Sequence, residues 1–209
     1  MMKRPALPPP LAAVVAVLTG GLALYGGVAW VERILQMGPI SGAVLEEAGK
    51  GLVILAFGWS GSRKPALERR STQRIRSRAL GAARGISLGL VAVAVFVLAE
   101  NLAYAEAFSE AGILKRLLWS VPGHLTAALL EALGALHLLR RRDLIGGLLA
   151  GGGLILAAAW HAGLNLLASG PLGGALFAGG SLLASLSFVM LLFLFLGHAY
   201  LGGFLHGAD

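Results

Sequence analysis

The chain predicts an all-α integral membrane protein, a bundle of about six transmembrane helices forming a single domain over residues 1–209, and three observations carry that reading. Hydrophobic residues make up 57% of the 209 and charged residues only 13%, whereas about a quarter of a soluble domain is charged. Apolar runs of about 20 residues, enough to cross a bilayer as a helix, follow one another along the chain. The basic residues behind the net charge of +7 lie between those runs, where membrane topology accounts for them. No alternating strands of the kind a transmembrane barrel needs are visible.

The elements follow in order. The run 11–31 is longer than the roughly 7–15 apolar residues of a signal-peptide core, so it reads as a first span rather than a cleaved leader. The second, 39–59, carries Glu46, Glu47 and Lys50. Spans 85–105, 117–139, 144–168 and 177–201 complete the six. Gly85 and Gly89 in the third, and Gly147 and Gly151 in the fifth, have the GxxxG spacing of close helix packing. The one long connection, Ser60 to Ala83, is rich in arginine and reads as a solvated cytoplasmic loop drawn to anionic headgroups.

Orientation follows from the connections. With the N-terminus inside, the inner set is Lys3, Arg4, Arg63, Lys64, Arg69, Arg70, Arg74, Arg76, Arg78, Arg84, Arg140, Arg141 and Arg142, against Arg33, Lys115 and Arg116 outside. Thirteen against three places both termini in the cytoplasm of a multi-pass plasma-membrane protein. Since topology absorbs the basic charge, no nucleic-acid partner is expected. The absence of cysteine removes disulfides, thiolate ligands and a thiol nucleophile together.

The informative residues are the polar ones inside the spans. A charge at the centre of a transmembrane helix costs about 2.5–3.5 kcal/mol on insertion scales, and such residues face a bundle interior or a water-filled cavity. At about 1.5 Å per residue, Glu46 and Glu47 lie about 10–12 Å below the outer end of their helix, Glu100 about 8 Å, and His124 and His161 about 10 Å. Four helices thus deliver carboxylates and imidazoles to one layer in the outer half of the bilayer. Glu46 and Lys50, Glu100 and Tyr104, and His161 and Asn165 are each four apart, on one helix face. Tyr104 is suited to orienting a carboxylate, and Asn165 to fixing the tautomer of His161 or stabilising an oxyanion. Asn101 reads equally as an interhelical donor or a site residue. Glu131, two turns from His124 on the same face, reads as the lining of a lower cavity or a packing contact. His137, His198 and His206 sit at or beyond inner helix ends and stay outside the site.

Four stretches then resemble a known family. Glu46-Glu47-Ala48-Gly49-Lys50 matches EExxK, Glu100-Asn101-Leu102-Ala103-Tyr104 matches ENxxY, Arg116 to His124 resembles a short motif ending in histidine, and His161-Ala162-Gly163-Leu164-Asn165 matches HxxxN. In this order on successive helices they resemble the PrsW family of intramembrane proteases, which is similar to the CAAX prenyl-protease and bacteriocin-processing group. The resemblance covers roughly residues 39–168. Glu131 departs from the family pattern, as does Ala83-Arg84-Gly85, where an acidic residue often precedes the third helix.

The resemblance implies cleavage of a membrane-associated protein or peptide near the extracytoplasmic face, with the glutamates and histidines as catalytic or metal-binding groups. Peptide hydrolysis needs an activated water and a stabiliser for the oxyanion. One of the adjacent glutamates supplies the base, with Glu47 preferred and Glu46 orienting Lys50. His124, His161 and Glu100 would make a His/His/carboxylate shell for Zn2+. No HExxH motif is present, so a metal site must be assembled from separate helices, and a glutamate-only hydrolase stays open. Two alternatives from other classes are a catalytically silent scaffold or substrate-holding subunit, and a proton-coupled transporter. No inverted repeat supports the latter. Substrate identity and oligomeric state are not written in the sequence.

Overall fold

The computed structural model describes residues 9–63, 71–105, 110–169 and 173–198. Among them are six helices and no strand: α1 (Pro9–Leu35), α2 (Pro39–Ser62), α3 (Ser71–Ala105), α4 (Glu110–Arg141), α5 (Leu144–Ser169) and α6 (Gly173–Leu196). Three stretches are long and apolar enough to cross a membrane: Pro10–Leu35, Ser77–Tyr104 and Leu144–Leu166. Glu46, Glu47 and Lys50 interrupt the apolar character of α2, and the apolar stretch within α6, Leu182–Leu196, is shorter.

Solvent-facing apolar surface is spread over every helix. Leu22, Leu52, Leu98, Leu118, Ile155 and Phe193 are all more than half exposed, while Glu47, Lys50, His124, Glu131 and His161 are buried. A soluble monomer rarely exposes contiguous apolar patches beyond a few hundred Å². Apolar outside and ionisable inside is the arrangement a bilayer demands, and the protein is membrane-embedded.

Local chemistry sets the helix ends. Gln36 closes α1 with a left-handed φ of 47°, and Pro39 opens α2 directly after an extended Gly38. Arg142, at φ 53°, closes α4, its N–H donating to Leu138 O at 2.9 Å. Asp143 then starts α5, its Oδ1 accepting from the N–H of Gly146 at 2.7 Å. These tight joints hold α1 to α2 and α4 to α5 as antiparallel neighbours.

The basic segment 60–83 differs from the expected loop. Helix α2 continues to Ser62 and α3 begins at Ser71, with residues 64–70, which hold Lys64, Arg69 and Arg70, outside the described residues. The reason is amphipathicity. Arg78 and Arg84 are exposed while Ala82, Ala83 and Ile86 are buried, so the charges ride one face of a helix whose other face packs.

Glycine spacing is used selectively. A Cβ on Gly85 would collide with the carbonyl of Phe57, and one on Gly89 would sit 2.9 Å from Ile54 Cα, so this pair lets the α2 and α3 backbones touch, as expected. Gly147 and Gly151 correct the expectation, since a Cβ there would meet nothing within 4 Å. The close approach of α5 to α4 instead uses Gly153, where a Cβ would meet Leu130 O at 2.7 Å.

Helix α4 is central, touching α2, α3, α5 and α6. Its Leu129, Ala132 and Leu136 pack with Ile54, Ile86, Val93, Phe96 and Phe195 into one core. Thr126 reaches α6 through its hydroxyl, which donates to Ala184 O at 3.2 Å.

Candidate active site

Four helices meet around two histidines. His124 lies in the interior of α4, one residue after Gly123, whose carbonyl accepts from Trp160 Nε1 at 3.1 Å. Trp160 in turn precedes His161 on α5, so one hydrogen bond ties the two imidazole-bearing turns together. Their rings lie 4.5 Å apart, edge to face at 77°. Gly123 permits this approach, since a Cβ there would stand 2.5 Å from Leu164.

Helix α2 inserts EExxK against this pair. Glu47 and Lys50 are both 0% exposed, and Glu46 is 9% exposed. Oε1 of Glu47 accepts from Lys50 Nζ at 2.5 Å and lies 2.6 Å from His161 Nδ1. Lys50 Nζ reaches on to His124 Nδ1 at 2.9 Å. On the far side of that ring, His124 Nε2 lies 3.1 Å from Glu100 Oε2 of α3.

Donor and acceptor rules assign the protons. An ammonium only donates and a carboxylate only accepts. His124 Nδ1 therefore accepts from Lys50, and its proton rests on Nε2, facing Glu100. His161 donates from Nδ1 to Glu47, which leaves a bare lone pair on Nε2. That lone pair looks toward Glu46 Oε2, 3.8 Å away. Glu46 Oε2 also lies 3.7 Å from Lys50 Nζ and 4.0 Å from His124 Nδ1, and it makes no hydrogen bond. Glu46 thus faces a gap bordered by both histidines and the lysine, whereas Glu47 is fully engaged at one oxygen.

The donor set suits a divalent cation. One ligand atom each from Glu46, Glu47, His124 and His161 lie within 4.8 Å of one another. Zinc bonds of about 2.0–2.1 Å in a tetrahedron put donors about 3.3 Å apart, so the 3.8 Å between His161 Nε2 and Glu46 Oε2 needs only slight closure. The orphaned oxygens of Glu46 and Glu47 and the carboxylate behind His161 complete the usual chemistry of such a centre. Glu100 stands outside this group of four, behind His124, and a cation would compete with Lys50 for His124 Nδ1.

The remaining residues named from sequence distribute as follows. Asn101 is buried and donates from Nδ2 to Val97 O at 2.8 Å and to Ser120 Oγ at 3.2 Å, joining α3 to α4. Asn165 is half-buried, one turn beyond His161. Tyr104 is exposed and, with Glu46 and Glu100, borders a cavity of about 220 Å³ between α1 and α3. Glu131 is buried on α4, and neither of its oxygens has a hydrogen-bond partner among the described residues. His137 and His198 stack on each other with centroids 4.6 Å apart, away from the cluster.

Sequence reasoning missed Glu32. It sits in the last turn of α1, lines the same cavity, and packs over Gly42, where a Cβ would stand 2.7 Å from its Oε1. The available signal was an acidic residue just past the end of a fifth apolar run, 11–31.

No curated protein and no solved structure matches the chain. Against families, residues 9–197 match PrsW family intramembrane metalloproteases, a span that takes in every helix and all four motifs. The chain belongs to the PrsW family of intramembrane metalloproteases.

Proposed function

We propose that the protein is a metal-dependent intramembrane endopeptidase that hydrolyses a peptide bond of a membrane-associated protein near the extracytoplasmic face of the plasma membrane. In this reading six spans cross the bilayer with both termini in the cytoplasm, which is supported by the thirteen-to-three distribution of basic residues. The single observation that carries the chemistry is the convergence of Glu46, Glu47, His124 and His161 from three helices within 4.8 Å, beside a cavity that Glu46 lines.

His161 and His124, with Glu47 adjoining, would hold the cation beside Glu46. When bound, Zn2+ in such a centre acts as a Lewis acid and lowers the pKa of water toward about 7. The chain's own residues do the rest. Glu46 takes the proton of the attacking water at Oε2, which has no hydrogen-bond partner among the described residues, and returns it to the leaving amine as the C–N bond breaks. Glu47 holds His161 by Nδ1 and Lys50 by Nζ, which fixes both against the gap. The Lys50 ammonium, 3.7 Å from Glu46 Oε2, favours the negative charge that develops on the substrate oxygen beside it. Glu100 keeps His124 in one tautomer. These roles reverse the sequence preference between the two glutamates, because Glu47 is spent on positioning while Glu46 borders the cavity.

Purified protein incubated with membranes of its source cell should generate new protein termini. Glu46→Gln and His161→Ala should abolish them while leaving a folded protein. Undiminished cleavage by both variants, or none by the wild type, would sink the proposal.

A further inference from the structure

We infer that the cavity between α1 and α3 is a subsite for a cationic side chain of the substrate, lysine or arginine, next to the cleaved bond, with Glu32 setting that preference. The inference rests on the proteolytic reading above. Three carboxylates from three different helices line this space, Glu32 of α1, Glu46 of α2 and Glu100 of α3, and among the described residues no basic one does. The nearest buried cation, Lys50, stands behind the cavity wall with Nζ 5.2 Å from the Phe96 ring centroid.

The walls match the same ligand. Tyr25, Phe96 and Tyr104 line the space together with the carboxylates, and Tyr25 and Phe96 are fixed edge to face with centroids 6.2 Å apart. Aromatic faces and carboxylates together are the chemistry that takes a cation out of water. At about 220 Å³ there is room for one long side chain or a string of waters.

A carboxylate cluster alone would say little, but Glu46, which lines the cavity, is nine-tenths buried and carries an oxygen, Oε2, with no hydrogen-bond partner among the described residues. A side chain seated here therefore lies against Glu46, the residue assigned to the water. Glu32 takes no part in the network of Glu47, Lys50, His124 and His161, so its carboxylate serves the cavity alone. Arg33 beside it is exposed and does not line the space.

The test uses the full-length protein and membranes of its source cell, with new termini mapped for wild type, Glu32→Gln and Glu32→Lys. Cut sites of the wild type should be enriched in lysine or arginine next to the cleaved bond, and changing that residue to glutamine in a cleaved segment should lower kcat/KM roughly tenfold, the loss of one charge-assisted contact. Glu32→Gln should erase the discrimination between the lysine and glutamine segments, and Glu32→Lys should turn it toward glutamate. New termini without basic enrichment, or discrimination unchanged in both variants, would overturn the inference and leave the protease reading standing. No wild-type termini beyond those of Glu46→Gln would remove that reading and the inference with it. Should a Glu32 variant fail to fold, the segment comparison on wild type decides alone.

Discussion

Glu47 and His161, 114 residues apart in the chain, meet at 2.6 Å between Oε1 and Nδ1, and the same oxygen holds Lys50 at 2.5 Å. One carboxylate oxygen therefore fixes the relation of α2 to α5 and, through Lys50 and His124, to α4 and α3. Because Glu47 and Lys50 are wholly buried, removing either leaves the other an uncompensated buried charge. Lys50→Met should cost about 3–5 kcal/mol, seen as a lowered unfolding midpoint in detergent. Stability equal to wild type would show that the network holds nothing together.

The adjacent glutamates should separate by phenotype. Glu46→Gln should lower turnover by about 10²–10⁴ with little change in the unfolding midpoint. Glu47→Gln should lower both turnover and midpoint, and should weaken metal affinity by about 10–100-fold as a second-layer substitution. Equal stability losses in the two variants would contradict the division of roles.

Metal content gives an independent readout. Elemental analysis of detergent-purified protein should find about one divalent ion per chain, and His161→Ala should lose most of it, because the bare Nε2 is then gone. Metal-free protein whose cleavage survives chelators would favour the glutamate-only mechanism instead.

Glu131 should behave in the opposite way to Glu47. A buried polar group without a partner costs about 1–3 kcal/mol, so Glu131→Leu is expected to raise the unfolding midpoint while cleavage persists. A loss of cleavage on the scale of Glu46→Gln would bring Glu131 into the machinery.

Orientation can be read directly, because the chain has no cysteine and single-cysteine variants need no background removed. Met37→Cys should react with an impermeant thiol reagent in intact cells, and Arg142→Cys only after the membrane is opened. The reverse pattern would invert the topology.

The sequence by itself determined the helical class, the bounds of α2 and α5 to within a few residues, and which polar residues stand inside apolar runs. Apolar run length and the charge distribution are local properties, and carboxylates within apolar runs stand out against a 13% charged background. Local pattern also misled. Helix α3 begins at Ser71, ahead of the expected 85, because exposed Arg78 and Arg84 alternate with buried Ala82, Ala83 and Ile86 at helical spacing. Gly147 and Gly151 share the GxxxG spacing of Gly85 and Gly89, yet only the latter pair faces a neighbouring backbone, since spacing names a face and not what lies across it. What only the tertiary structure decided is direction. It turned Glu47 onto Lys50 and His161, left Glu46 Oε2 without a hydrogen-bond partner among the described residues, set Glu100 behind His124, and brought Glu32 of α1 to the cavity that Glu46 lines. These relations join residues on different helices, and the rotation of each helix about its axis is fixed by packing against its neighbours rather than by its own sequence.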